Sequence, residues 1–227
     1  MKVILSLTLL FALLVVSAPA KAATLNFSDT YGPSPVPFGA APLATLPLFD
    51  PALGTLTKVT LTLDANTSAG TIAWDNEASV ATDVTLGIGA EVTAVGLAGI
   101  TAVAVPLQTG TMLGVDADND GAADFVGSDS FAVTGGSGSD SDMDMLSTGL
   151  GVYIGLGTFD VTVSSSVSTF LSTTGGFGPI DPTPGVTDGT VTVTYDFTPV
   201  PEPGTLLLLV SGLLPLGLQV LRRRRRA

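Results

Sequence analysis

The residues with the clearest potential for chemistry are four aspartates in one short segment. Asp116, Asp118, Asp120 and Asp124 occupy positions 1, 3, 5 and 9 of that segment, and Gly121 occupies position 6. Carboxylates at this spacing, with a glycine for the sharp turn, place oxygen ligands on one side of a tight loop, as calcium requires. Position 12 is a glycine where an EF-hand needs a bidentate glutamate, so the segment is not an EF-hand. Two interpretations stay open: a calcium loop with a Kd of roughly 10⁻⁴ to 10⁻³ M, or a solvated acidic loop between strands.

A second group of aspartates follows a Gly/Ser-rich stretch. Asp140, Asp142 and Asp144 alternate there with Ser141 and Met143. Such composition is typical of turns and loops, so the pattern predicts the tip of a soluble hairpin. The alternative is a second ion site.

The only tryptophan stands beside polar residues that a sugar site would need. Trp74 precedes Asp75, Asn76 and Glu77. A lone tryptophan in a small β-domain is more typically a core anchor, and this interpretation is the favoured one. The pairs Glu77 with Glu91, or Asp75 with Glu77, have the residue types of a glycosidase. In a chain with 20 acidic residues such pairs arise freely, and nothing else in the sequence supports that activity.

Composition excludes several classes of function. The chain has no histidine and no cysteine, which removes the Ser-His-Asp triad, thiol catalysis and the usual zinc sites. Lys58 is the only basic residue between positions 24 and 221, against 20 acidic residues, a balance of −19. A body with one cation cannot neutralise a phosphate backbone, so nucleic-acid binding is excluded. The sequence predicts a non-catalytic protein.

The central part of the chain has the pattern of β-strands. Polar and β-branched apolar residues alternate with period two in four segments, and clusters of Gly, Asn, Asp and Ser separate them. The predicted strands are Thr57 to Asp64, Ala78 to Val95, Gly157 to Val163 and Thr190 to Phe197. The predicted loops are Asn66 to Gly70, Gly135 to Ser141 and Gly175 to Gly189. The expected fold is one all-β sandwich, jelly-roll-like or Ig-like, over residues 24–199.

The N-terminal residues 1–23 are typical of a secretory signal peptide. Lys2 gives a positive start, Val3 to Val16 is an apolar run, and small residues around Ala20 offer a cleavage site. The run of 14 residues is short for a bilayer span of about 20 residues. We therefore expect export through the Sec machinery and cleavage.

The C-terminal residues 200–227 contain three parts in order. Pro201-Glu202-Pro203 precedes an uncharged stretch of 18 residues, 204–221, which is followed by Arg222, Arg223, Arg224, Arg225 and Arg226. As a helix the stretch would be about 27 Å long, close to the hydrocarbon thickness of a bilayer. The arginines would stop it on the cytoplasmic side, which leaves the body facing outward.

This order resembles the PEP-CTERM sorting signal of Gram-negative bacteria. The resemblance covers about 27 residues and implies an exosortase-type processing enzyme that recognises the Pro-Glu-Pro motif. It further implies that the helix holds the precursor in the inner membrane only transiently, as a GPI signal does.

The body has a second resemblance, which rests on the order of three sequence segments. Leu46 to Leu63 leads into the first clear strand, Gly155 to Val163 comes late, and Thr190 to Phe197 closes the domain. This order is similar to the choice-of-anchor E domain, a bacterial surface module, over roughly residues 25–197. That family has no activity to carry over, and no catalytic residue is implied.

These observations predict an exported protein of the cell surface or extracellular matrix. The resemblance to the sorting signal implies an association with exopolysaccharide and biofilm. The physical argument agrees, because a body with a balance of −19 stays soluble and can be bridged by cations to acidic polysaccharide. The alternative is a calcium-dependent carbohydrate-binding module at the cell surface.

Overall fold

The computed structural model describes residues 21–118 and 121–200, and in these ranges the protein is all-β, without an α-helix. The strands are β1 (Ala23–Pro35), β2 (Phe38–Pro47), β3 (Gly54–Ser68), β4 (Thr71–Asp75), β5 (Thr82–Val95), β6 (Thr101–Ala104), β7 (Leu107–Val115), β8 (Ser130–Thr134), β9 (Ser137–Leu146), β10 (Thr158–Thr173), β11 (Ile180–Thr183) and β12 (Val186–Pro199). Three short 3₁₀ helices span Pro51–Leu53, Leu97–Gly99 and Leu150–Tyr153. The all-β prediction is confirmed.

Most of the predicted signal peptide and nearly all of the predicted sorting signal lie outside the described residues. This holds for the Pro201-Glu202-Pro203 motif, the apolar stretch 204–221 and the arginines 222–226. The domain boundaries therefore stay predictions. None of the helices in the two described ranges has the length and apolar character that a bilayer span requires.

The chain divides into two compact units. The larger comprises Thr24–Asp50 and Leu56–Asp196. The described part of the smaller comprises residues 21–23, 51–55 and 197–200, in which the Val200 N–H donates to the Leu53 carbonyl at 3.1 Å. The side-chain contacts described below belong to the larger unit.

The strands form three sheets. Sheet 1 has the order β1-β12-β3-β9. Sheet 2 has the order β2-β10-β5-β6, and β7 also pairs with β5. Sheet 3 has the order β11-β4-β8. The pairs β2–β10, β5–β10, β5–β6, β5–β7, β3–β9, β4–β8 and β4–β11 are antiparallel.

The four predicted strands all occur, with shifted limits. They correspond to parts of β3, β5, β10 and β12. Strand β10 continues for ten residues beyond the predicted end at Val163, because Ser and Thr there still pair with β5 in regular register. All three predicted loops are wrong in part. Strand β3 continues to Ser68, β9 begins at Ser137, and β11 and the start of β12 lie within the third predicted loop. In these segments a neighbouring strand was available for pairing, and this pairing outweighed the loop-forming composition.

Strand β5 supplies a continuous buried face. Its even-numbered residues from Thr82 to Ala94 all point inward and are buried. Val84, Leu86 and Ile88 form one cluster with Ile72 and Trp74 of β4 and Val115 of β7. Farther along β5 the inward residues are Ala90, Val92 and Ala94. The alternation with period two predicted a strand with one buried face, and β5 has such a face.

Aromatic side chains fill the core around Tyr195. The rings of Phe27, Phe49 and Tyr153 meet it edge-on, with centroid distances of 6.2, 5.7 and 6.5 Å. The Tyr195 hydroxyl donates to the Pro47 carbonyl at 2.7 Å. Burial raises the pKa of Tyr195, because the charged phenolate would lose its hydration there.

Lys58, the one basic residue of the larger unit, forms an ion pair. The Lys58 ammonium contacts the Asp196 carboxylate at 2.7 Å. The hydrogen bond from Lys58, followed by one from the Thr24 hydroxyl, lowers the pKa of Asp196. Because both partners are partly exposed, water screens the pair and its contribution to stability is small.

Three carboxylates of β9 bond to the backbone of β6 and of Val105, the residue that follows it, and we call Asp140, Asp142 and Asp144 the carboxylate staple. Asp140 accepts from the Val105 N–H at 2.7 Å, Asp142 from the Val103 N–H at 2.8 Å, and Asp144 from the Thr101 N–H at 3.0 Å. Strand β9 is the edge of sheet 1, and β6 is an edge of sheet 2. The staple therefore joins two sheets through alternate N–H groups of one open edge.

The register of β9 explains why all three staple carboxylates lie on the same side of the strand. Asp140, Asp142 and Asp144 lie opposite Ala65, Leu63 and Leu61 of β3, all of which are buried. Opposite residues of an antiparallel pair share a face, so the carboxylates lie on the same side of sheet 1 as these buried residues. Asp140 and Asp142 themselves are exposed, because β9 is the edge of the sheet. The prediction of a hairpin tip is wrong, because the alternation of Asp with Ser and Met is that of a strand.

Removal of a staple carboxylate should weaken the protein at a defined place. Asp142→Ala leaves the Val103 N–H without its acceptor, so we expect a loss of about 1 kcal/mol in the free energy of unfolding. We also expect faster amide exchange at Val103. The measurements are chemical denaturation and hydrogen exchange. Met143→Ala, on the opposite face of the same strand, is the control, and equal exchange at Val103 in both variants would contradict the role of the staple.

Candidate functional site

The aspartate-rich segment lies in the loop between β7 and β8. Asp116 directly follows β7, and the loop ends where β8 begins at Ser130. Asp116, Asp118 and Asp124 are described, whereas Asp120 lies outside the described residues. The sequence prediction that these aspartates share one loop between strands holds for the three described members.

Two of these carboxylates bond to the backbone of their own loop. Asp118 accepts from the Gly121 N–H at 2.7 Å, and Asp124 accepts from the Val126 N–H at 3.0 Å. Both are local turns of the kind that aspartate favours. Gly121 has a φ of +70°, a left-handed conformation that glycine adopts without strain. These bonds give the loop its local shape.

A buried aspartate outside the segment anchors the loop. Asp75, at the end of β4, accepts from the Asp124 N–H at 3.0 Å and from the Phe125 N–H at 3.2 Å through the same oxygen, Oδ2. Phe125 has a φ of +59°, which is uncommon for a residue with a side chain. The bond to Asp75 helps to hold this conformation. Sequence reasoning missed the role of Asp75, although its position at the end of an alternating strand was a usable signal.

Asn76 ties the same loop to the β4–β5 connection. Its Nδ2 donates to the Asp116 carbonyl at 2.7 Å and to the Val80 carbonyl at 3.0 Å, and its Oδ1 accepts from the Ala78 N–H at 3.2 Å. The Asp118 N–H also donates to the Ala78 carbonyl at 2.9 Å. Asp75 and Asn76 together fix both ends of the aspartate-rich stretch. Their polar groups are therefore engaged in structure rather than offered to a sugar.

Trp74 is a core residue, as the favoured interpretation predicted. Its side chain is 0% exposed and packs in the cluster between β4, β5 and β7. Gly176 lies so close that an added Cβ would be 3.0 Å from the indole ring. A ring covered in this way offers no face for stacking on a sugar, so the idea of a sugar platform at Trp74 is wrong.

The structure places the carboxylates considered as glycosidase pairs on different elements. Asp75 is buried and engaged by the loop, whereas Glu91 lies on the exposed face of β5. Glu77 lies in the connection after β4, where its N–H donates to the Phe177 carbonyl at 2.9 Å.

Within residues 21–118 and 121–200, no group of three or more acidic side chains is close enough together to hold a metal ion. The described carboxylates of the loop bond instead to backbone N–H groups. Because Asp120 is outside these ranges, the four-aspartate calcium loop stays a prediction.

A polar groove on sheet 1 was not foreseen from the sequence. It has a volume of about 460 Å³, and its lining comes from β3 and β9: Asp64, Ala65, Asn66, Ser139, Asp140 and Ser141. Next to it the Asn66 amide donates to Asp188 at 3.4 Å. Carboxylate, amide and hydroxyl groups of this kind exchange hydrogen bonds with polyhydroxylated ligands. The groove offers several such groups on one surface.

Comparisons with known proteins add no family. No family model matches the chain, and no curated protein matches it. The solved structures that match include two of infectious bursal disease virus. The Gt strain structure has 12% identity and a TM-score of 0.12, covering 88% of this chain and 51% of the viral chain. The virus-derived T=1 particle has 16% identity and a TM-score of 0.14, covering 86% and 47%. This chain thus spans about half the length of each viral chain, and TM-scores this low carry no argument about fold or function.

Proposed function

We propose that this is a non-catalytic protein of the bacterial cell surface or extracellular matrix, sorted by a PEP-CTERM signal. The observation that carries the proposal is the order of Pro201-Glu202-Pro203, the uncharged stretch 204–221 and the arginines 222–226. An exosortase-type enzyme processes the tail, the Sec machinery exports the chain, and the inner membrane holds the precursor through its C-terminal helix.

The all-β body supports a structural role. We further propose that its antiparallel sheets form one β-sandwich of the jelly-roll or Ig type, similar to a choice-of-anchor E domain. The staple between β9 and β6 and the core around Tyr195 are the contacts that support this arrangement. A rigid, acidic module of this kind suits a matrix component that cations bridge to acidic exopolysaccharide.

Calcium is the cofactor that we propose for the β7–β8 loop. Asp116, Asp118 and Asp124 lie on one short loop, and Asp75 and Asn76 hold its ends in place. The loop is thus anchored before any ion arrives, which lowers the conformational cost of binding. Asp120 would complete the ligand set.

The second candidate function is calcium-dependent carbohydrate binding. The polar groove between β3 and β9 favours it, because Asp64, Asn66, Ser139 and Ser141 line a concave surface with hydrogen-bonding groups. In this version the groove, and not Trp74, contacts the glycan.

Processing of the tail provides the first test of the sorting proposal. We expect the mature protein to lack residues 1 to ~22 and the residues from about 203 onward. Replacement of Pro201, Glu202 and Pro203 by alanine, or deletion of the exosortase, should leave tailed precursor in the inner membrane. The measurement is the intact mass of protein from the cell surface. Surface-released protein that still carries Arg222 to Arg226 would overturn the proposal.

Calcium should stabilise the exported protein if the loop binds it. At a calcium concentration 100-fold above Kd, the free energy of unfolding should rise by about 2.7 kcal/mol. Thermal melting is measured in EDTA, in calcium and in magnesium, which should substitute poorly because it demands a tighter octahedral shell. Asp118→Ala with Asp120→Ala should remove the calcium effect, whereas Glu91→Ala should not. Equal melting temperatures in all three solutions would leave the loop as a solvated acidic segment.

A polysaccharide pull-down separates the two candidate functions. Binding through the groove should be lost in Asn66→Ala with Ser139→Ala, because both changes remove hydrogen-bonding groups from the lining. Addition of EDTA should also release a calcium-dependent complex. Ser172→Ala, on β10, is the control. Binding that survives the groove variant unchanged would speak against a carbohydrate site at this position.

A further inference from the structure

One half of strand β10 forms an open sheet edge. Residues Thr158 to Ser165 pair with β2 on one side and, from Thr162 onward, with β5 on the other. From Ser166 to Thr173 the strand pairs with β5 alone, and almost every residue there is exposed. Such an edge presents a row of backbone N–H and C=O groups that can pair with another strand.

Strand β6, at the other edge of sheet 2, has its outer backbone N–H groups bonded. At β6 the staple carboxylates occupy three backbone N–H groups, those of Thr101, Val103 and Val105. Because these N–H groups are already bonded, they are not free to pair with another strand. Nothing comparable covers residues 166–173 in the described part of the chain.

The open edge is also neutral in an otherwise acidic body. No Asp, Glu, Lys or Arg occurs from Val161 to Ile180, although positions 24–221 hold 20 acidic residues and one basic residue. Two copies that approach each other through any acidic face repel, because hardly any cation is present to compensate. Pairing through the open edge of β10 brings no charged residue of this segment against its copy.

The apolar side chains on this edge are large for an exposed strand. Val167 is 37% exposed, Phe170 46% and Leu171 40%. Val167 and Leu171 share one face with Thr169 between them, since successive residues alternate. A partner strand would cover these side chains as well as the backbone groups.

We propose that the open edge pairs with the same edge of a second copy of this chain, in antiparallel orientation. A two-fold interface brings the same patch of both copies together and must be self-complementary. With the dyad at Thr169, Ser166 to Ser172 of one copy pairs with Ser172 to Ser166 of the other. Val167 then lies opposite Leu171 of the second copy, and the overlap ends where β2 begins on each copy. The sheet continues across the interface with its inner faces on the same side.

Disulfide trapping tests the pairing directly, because the chain contains no cysteine. In Thr169→Cys the two introduced thiols face each other across the dyad, at a separation that a disulfide can bridge. The full-length chain in mild detergent is oxidised gently and analysed on a non-reducing gel. Met143→Cys, exposed on the outer face of β9, is the matched control. We expect at least a tenfold faster appearance of covalent dimer for Thr169→Cys, and equal rates would overturn the proposal.

Charged substitutions in the proposed interface provide a second test. In the Thr169→Cys background, Val167→Glu with Leu171→Glu places four negative charges in the two-fold interface and should abolish cross-linking. Met143→Glu with Met145→Glu adds the same charge to exposed positions on β9 and should leave cross-linking unchanged. Thermal melting of both variants checks that they are folded. Cross-linking that persists in the first variant, or is lost equally in both, would show that β10 does not form the contact.

Discussion

The constraint on which the structure depends is the scarcity of cations around many carboxylates. With one lysine among 20 acidic residues between positions 24 and 221, ion pairing serves Asp196 and hardly any other acid. Backbone N–H groups take the place of lysine and arginine as partners. Asp29 accepts from the Thr45 and Thr30 N–H groups, which lower its pKa, and Asp83 accepts from the Gly114 N–H at 2.9 Å. The same solution recurs at Asp75 and along the staple.

This solution links electrostatics to architecture. A backbone N–H is free to bond a side chain only at a sheet edge or in a loop, since inside a sheet it is already paired. The aspartates therefore collect where strands end or where sheets have edges. Asp140, Asp142 and Asp144 close one edge, and Asp75 shapes the loop that carries Asp116, Asp118 and Asp124. The apolar core, from Trp74 to Tyr195, is left to packing alone.

The positions of the main strands could be predicted from the sequence, whereas the structural roles of the aspartates could not. Alternation in β3, β5, β10 and β12 reflects burial of one face, a local property that a single chain segment records. The staple could not be predicted in the same way, because its acceptors in β9 and its donors in β6 are brought together only by the sheets. Even so, Asp at 140, 142 and 144 has period two, and this was the available signal for a strand. Asp75 was hidden for the same reason, since its partners lie 49 and 50 residues away.

The alternation of Asp with Met along β9 has a consequence for how the chain finds its fold. Because side chains alternate, a slip of one residue against β3 would turn all three carboxylates away from β6. Met143 and Met145, now 62% and 55% exposed, would take their place against its backbone. Three hydrogen bonds would be lost in that single step. A strand rich in Ser and Gly would otherwise shift easily between registers. The aspartates therefore stabilise one register of β9 relative to the neighbouring ones.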